Sequence, residues 1–280
     1  MKKIILLITA LFLLASCAKS HEQSDKLQVY TSFYPMYDFA RTIGGDDIDL
    51  YNIVPVGTEP HDFEPTAADM AKLSKADVFI YNGRGVDEWA EDIAKTLPDT
   101  VFVINTSAAL STYYDGDPHT WLSPFCAAMQ AEKICKSLET ADSQNAGKYR
   151  ERMNSLSSQL DELYWEYFNA GFVGMKLFVT HGAYNALCKD YEMTQIALEG
   201  TAGESDPSPA QMAEVVNQIK ADGAKYIFYD PLEGDKTASA AAKEAGIETL
   251  PLYTFEGDTE NRDYVTVMRF NLEQLKKARQ

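Results

Sequence analysis

Cysteine and histidine are both scarce, with four of each in 280 residues. No CxxC pair occurs, which removes the usual thiol-redox and zinc-ribbon signatures. With Cys17 set aside, Cys126, Cys135 and Cys188 are an odd set, so at least one thiol stays unpaired. Cys126 and Cys135 fall on one expected helix, roughly 13.5 Å apart along its axis, too far to bridge. They read as small buried residues. No apolar run approaches the roughly 20 residues that a membrane-spanning helix needs. The HExxH pattern of zinc hydrolases is absent, as are internal repeats and low-complexity segments. Positive charge is in deficit: 25 basic residues against 42 acidic ones give a net charge of -17. A surface this acidic repels nucleic acid and anionic head groups and attracts cations.

The N-terminus fixes the expected compartment. Lys2 and Lys3 precede an apolar run over residues 4–14, broken only by Thr9. That run fits the h-region of a secretory signal. Leu14-Ala15-Ser16-Cys17 resembles a bacterial lipobox, so residues 1–16 read as a signal peptide and Cys17 as the lipidated first residue of the mature chain. Several acyl chains on one cysteine would give stable anchoring, which a single chain does not. Residues 17–26 are polar and aperiodic and read as a tether. What remains is long enough for two lobes with separate cores.

From Leu27 onward, strand and helix signals alternate. Short apolar runs at 27–32, 48–54, 78–81 and 101–104 alternate with helical patterns at 37–43, 67–74 and 86–97. The same rhythm returns after Gly171, with strands at 177–180, 194–198, 226–229 and 248–252 and helices at 183–189, 209–221, 236–245 and 263–278. Such alternation predicts an α/β protein of mostly parallel sheets flanked by helices. Between the halves lie a helix at 127–138 and a longer one at 142–169. Ala146, Tyr149, Met153, Leu156, Leu160, Leu163 and Tyr167 recur on the longer helix at spacings of three and four, a one-face stripe. At about 1.5 Å per residue it is roughly 42 Å long. The expected organisation is an N-terminal lobe at 27–141, a connecting helix at 142–170 and a C-terminal lobe at 171–280.

His21 lies in the tether. The other three histidines share one setting, loops beside strand ends: His61 after Glu59-Pro60, His119 after Asp117-Pro118, and His181 between Thr180 and Gly182. Ligands of open α/β sheets bind at the carboxyl ends of strands. A proline before two of these histidines stiffens the loop. Neutral imidazole suits zinc, copper, nickel and iron better than hard, oxygen-seeking ions.

Pro55-Val56-Gly57-Thr58-Glu59-Pro60-His61-Asp62-Phe63-Glu64-Pro65-Thr66 resembles the first metal motif of the zinc/manganese-type (cluster A-I) solute-binding lipoproteins of metal ABC importers. Asp117-Pro118-His119-Thr120-Trp121-Leu122-Ser123-Pro124 resembles the second, and Phe178-Val179-Thr180-His181-Gly182-Ala183-Tyr184 the third. Asp206-Pro207-Ser208-Pro209 and the stretch from Asp263-Tyr264 to Asn271 also look like family segments. The resemblance implies two α/β lobes joined by one long rigid helix, with a metal ion in the cleft. It implies capture of an external ion and delivery to a membrane permease driven by a cytoplasmic ATPase. The chain would act as a monomer outside the cytoplasm, at the cell surface or in a periplasm. Some relatives have also been proposed to be adhesins, for which this sequence carries no signal.

By position, His61 and His119 would be ligands from the N-terminal lobe and His181 from the C-terminal lobe. A histidine at the third position favours Zn2+ over Mn2+, with a manganese or iron carrier as the alternative. The chain departs from the family at the fourth ligand. Phe255 stands where an aspartate aligns, leaving Glu256, then Asp258, then a water as candidates. The histidine-rich loop of many zinc-type members is replaced by a short stretch carrying Asp115 and Asp117. A more distant reading is a zinc-dependent hydrolase using Glu59 or Glu64 as base. Metal release is expected to involve small lobe movements and local loosening around His181 or Glu256.

Overall fold

The computed structural model describes residues 25–112, 114, 116–201, 207–257, 259 and 261–279. The expected signal peptide, Cys17, His21, Asp115, Asp206 and Asp258 lie outside the described residues.

Strands β1 (Leu27–Thr31), β2 (Ile48–Asn52), β3 (Val78–Tyr81) and β4 (Phe102–Asn105) form a parallel sheet in the order β2-β1-β3-β4. Strands β5 (Lys176–Val179), β6 (Thr194–Ala197), β7 (Tyr226–Tyr229) and β8 (Glu248–Pro251) form a second parallel sheet in the order β6-β5-β7-β8. The two sheets therefore share one topology although the sequence shows no repeat. In each, the first strand lies between strands reached in opposite directions, so a crevice opens at the carboxyl ends of β1/β3 and of β5/β7.

Helices α1 (Tyr34–Gly44), α2 (Ala67–Leu73) and α3 (Glu88–Ala94) connect the first sheet. Helix α1 starts three residues before the periodicity predicts, because Pro35 suits a first turn whose N–H groups need no partner. Helices α4 (Pro124–Ala141) and α5 (Ala146–Ala170) follow, then α6 (Asn185–Asp190), α7 (Pro209–Asp222), α8 (Lys236–Ala245) and α9 (Tyr264–Arg279). Helix α5 starts at Ala146, four residues later than predicted. Asp142 breaks the chain there by accepting hydrogen bonds from Asn145 Nδ2 and the Tyr149 hydroxyl, both at 2.7 Å. The remaining helix spans about 37 Å and ends at Gly171, whose φ of 68° is left-handed.

The predicted stripe on α5 is buried from Tyr149 to Tyr167, with its first residue Ala146 half-buried. It belongs to one hydrophobic cluster that runs from Val29 and Phe39 beside the first sheet to Val179, Phe228 and Leu252 in the second. Polar bolts hold α5 to both halves. Arg152 donates to the Gly44 carbonyl at 2.7 Å, the Tyr167 hydroxyl donates to the Met268 carbonyl at 2.7 Å, and Arg269 pairs with Glu166. The chain also crosses back after the second sheet. Trp121 Nε1 donates to the Thr254 carbonyl at 2.8 Å, and the Tyr264 hydroxyl donates to the Trp121 carbonyl at 2.6 Å. Among the described residues no helix is long and apolar enough to cross a membrane.

Candidate metal centre

Four loops leave the carboxyl ends of β2, β4, β5 and β8 and carry His61, His119, His181 and Glu256 respectively. One nitrogen from each imidazole and one oxygen of Glu256 all lie within 4.8 Å of one another. His119 Nε2 is 3.3 Å from His61 Nε2 and 3.0 Å from Glu256 Oε1. His119, His181 and Glu256 are buried and His61 is half-buried. Among the described residues, Glu256 lies beside the three histidines, and Asp258 lies outside them.

The backbone fixes each group locally. Gly83, Arg84 and Gly85 are consecutive left-handed residues, with φ of 81°, 64° and 104°. This strained turn aims Arg84 at the loop before His119, where Nε donates to the Asp117 carbonyl at 2.9 Å and Nη2 to the Tyr114 carbonyl. Asp87 stabilises the turn by accepting from the Asn82 and Gly83 amides at 2.8 and 2.6 Å. Asp117 accepts from the His119 amide at 2.9 Å. On the other side, a Cβ at Gly182 would meet the backbone of Glu199 and Gly200 at 3.2 Å, so the glycine after His181 lets two strand ends close up. Phe255 is left-handed, with φ of 64°, and fully buried against Tyr34 and Tyr264. The ring that stands in place of the expected aspartate thus anchors a backbone kink that turns Glu256 inward.

The electrostatics are those of a buried site short of positive charge. Burial opposes ionisation of Glu256, but the three imidazoles outweigh it and hold the carboxyl well below its usual range. Burial likewise disfavours a charge on His181, yet the Glu233 hydrogen bond and the Glu256 charge push it up to about 10. His119 is also raised, with Asp117 and Glu256 outweighing its burial, whereas burial lowers His61. Glu59 is pushed up by burial and by the neighbouring Glu256. Glu256 Oε1 and His119 Nδ1 are buried with no well-directed hydrogen bond, although His119 Nε2 lies 3.0 Å from the former and Asp117 Oδ1 lies 3.6 Å from the latter. An unsatisfied buried carboxylate oxygen is costly, and a cation among these groups would satisfy it. Three imidazoles and one carboxylate match the donors of a closed tetrahedral zinc site.

Sequence reasoning missed one contributor. Glu233 follows β7 and meets His181 Nδ1 at 2.7 Å. With Glu59 and Glu256 it forms a second group of close carboxylates, beside a cavity of about 240 Å³ lined also by Thr58, Asp230 and Leu232. The rule that directs attention to the carboxyl ends of strands covers Glu233 as well as the histidines.

The model of the family described as zinc-uptake complex component A, periplasmic, matches residues 29–278. The chain belongs to that family. It is 32% identical over 316 residues to the zinc-binding protein AdcA of Streptococcus pyogenes serotype M1, covering 99% of this chain and 61% of AdcA. The chain thus spans about three fifths of the length of the streptococcal relatives it matches. It is 31% identical to the high-affinity zinc uptake system protein ZnuA of Bacillus subtilis, over 97% of this chain and 96% of that protein. The crystal structure of the Zn(II)-bound ZnuA-like domain of Streptococcus pneumoniae AdcA superposes with a TM-score of 0.80 at 30% identity, over 90% of this chain and 98% of that domain. The family is one of transport components rather than enzymes, so the hydrolase reading is set aside. The match also carries the two-lobe fold of parallel sheets that alternation alone predicts.

Proposed function

We propose that the chain is the extracytoplasmic binding component of a zinc importer. It captures one Zn2+ with His61, His119, His181 and Glu256 and delivers the ion to an ABC-type permease powered by a cytoplasmic ATPase. The observation that carries this reading is the convergence of three imidazoles and one carboxylate from loops of both halves. All four come from one chain, so a monomer suffices. We divide it into lobes at 27–141 and 171–280 with a connecting helix between, and a tether at 17–26 lipidated on Cys17 after removal of residues 1–16. The imidazole-rich donor set favours zinc over manganese or iron.

Titration of metal-free protein tests the reading, with zinc and manganese competing for it. One equivalent of zinc should bind and excess manganese should not displace it. Manganese binding more tightly would reject the zinc assignment. Replacing Cys17 with alanine should release the protein from the membrane fraction, and persistent membrane association would reject the anchor.

A further inference from the structure

We propose that Glu233 is a positioning residue for His181, presenting Nε2 of that imidazole to the ion. The proposal rests on the reading of His181 as a ligand. An imidazole that binds a metal through one nitrogen carries a hydrogen on the other, and whatever accepts that hydrogen sets both tautomer and ring rotation. Glu233 Oε1 lies 2.7 Å from His181 Nδ1, the length of a charge-assisted hydrogen bond. Nε2 is left on the far edge of the ring, 3.2 Å from the Thr201 carbonyl, a contact an ion would replace.

The three imidazoles are not supported alike. The nearest carboxylate oxygen to His119 Nδ1 is Asp117 Oδ1 at 3.6 Å, and Nδ1 has no hydrogen-bond partner. Among the described residues only His181 has a carboxylate at hydrogen-bond distance from Nδ1. Glu233 is itself fixed. The buried Asp230 accepts from the Leu232 amide at 2.8 Å and from the Thr254 amide at 2.7 Å, while the Glu233 amide donates to the Asp230 carbonyl at 3.1 Å. One brace therefore sets the turn that carries Glu233 and the segment that leads to Glu256. The Glu233 side chain remains 26% exposed, so it can be changed without opening a buried cavity.

Zinc affinity by chelator competition and the visible spectrum of the Co2+-loaded protein test this in wild type, Glu233→Ala, Glu233→Gln, His181→Ala and the double variant lacking both side chains. Loss of the carboxylate should weaken zinc binding about 10- to 100-fold and shift the Co2+ bands. Glu233→Gln keeps an acceptor in place and should recover most of that loss. Glu233→Ala should have no further effect once His181 is gone. If wild type binds zinc and Glu233→Ala binds it equally well, the proposal fails while the zinc reading stands. An equal loss with and without His181 also overturns it, as does a zinc-bound structure with a Glu233 oxygen on the ion. No zinc binding by wild type would remove both. Should the alanine variant melt below the working temperature, the same cycle run with Glu233→Leu, which fills the space but accepts no hydrogen bond, decides.

Discussion

The two sides of the metal centre are built differently. On the N-terminal side, backbone carbonyls and amides are tied down around the histidines: Arg84 clamps Tyr114 and Asp117, Asp87 holds the strained turn, and Asn82 Nδ2 donates to the Pro118 carbonyl at 3.1 Å. On the C-terminal side, control falls on side chains that carry charge. His181 is held by Glu233, and Glu256 is turned in by a left-handed Phe255. An ion bound here would meet one wall braced through its backbone and one set by charged side chains. The shared core along α5 and the Trp121–Thr254 crossing tie the walls together. Release is then better served by local change on the C-terminal side than by wide opening.

The largest effect should come from the wall braced through its backbone. His119 touches both His61 and Glu256 and is fully buried, so His119→Ala leaves a buried carboxylate facing a gap. Breaking a buried charged cluster costs about 3–5 kcal/mol, or roughly two to four decades in affinity. Calorimetric zinc titration should show this loss to exceed that of His181→Ala. The reverse order would mean that the C-terminal wall defines the site.

Much of this division is legible in the sequence, because proline and glycine punctuate both sides. Pro60 and Pro118 precede two of the histidines, and Gly182 follows the third. Strand alternation predicts both sheets, and the three–four spacing predicts which face of α5 is buried. The shared strand order is not legible, since it is set by crossover packing rather than by residue identity. The start of α5 shifts because Asp142 can satisfy both the next turn and Tyr149, a choice that periodicity does not register. Glu256 is legible only as one of three candidates. Its inward turn depends on the positive φ at Phe255, a conformation no rule assigns to a phenylalanine. Glu233 escapes because a single glutamate in a polar turn looks like any solvated loop carboxylate.

The charge asymmetry makes the second prediction. Against the opposing effect of burial, Glu233 and Glu256 push the His181 imidazole up to about 10 from the ordinary 6.5, so their interaction stabilises the metal-free fold below pH 6.5 and is lost as pH rises through 10. An ion at Nε2 must displace that proton. Zinc affinity should therefore climb at least tenfold per pH unit between 7 and 9, and calorimetry in buffers of different ionisation enthalpy should report one proton released from His181 and, because His119 is raised as well, up to one more. Release of no proton in that window would place the imidazole already neutral and remove the asymmetry.

The smallest effect tests the other wall without touching a ligand. Arg84→Ala removes two hydrogen bonds to the loop before His119 and leaves the Tyr114 and Asp117 carbonyls to find other donors. At about 1 kcal/mol for each net bond, the metal-free protein should melt a few degrees lower. If the N-terminal wall defines position by rigidity, zinc should also dissociate faster in stopped-flow chelator traps, with little change in the number of protons released. An altered proton count would mean that Arg84 acts on the charges of the site rather than on the stiffness of its loop.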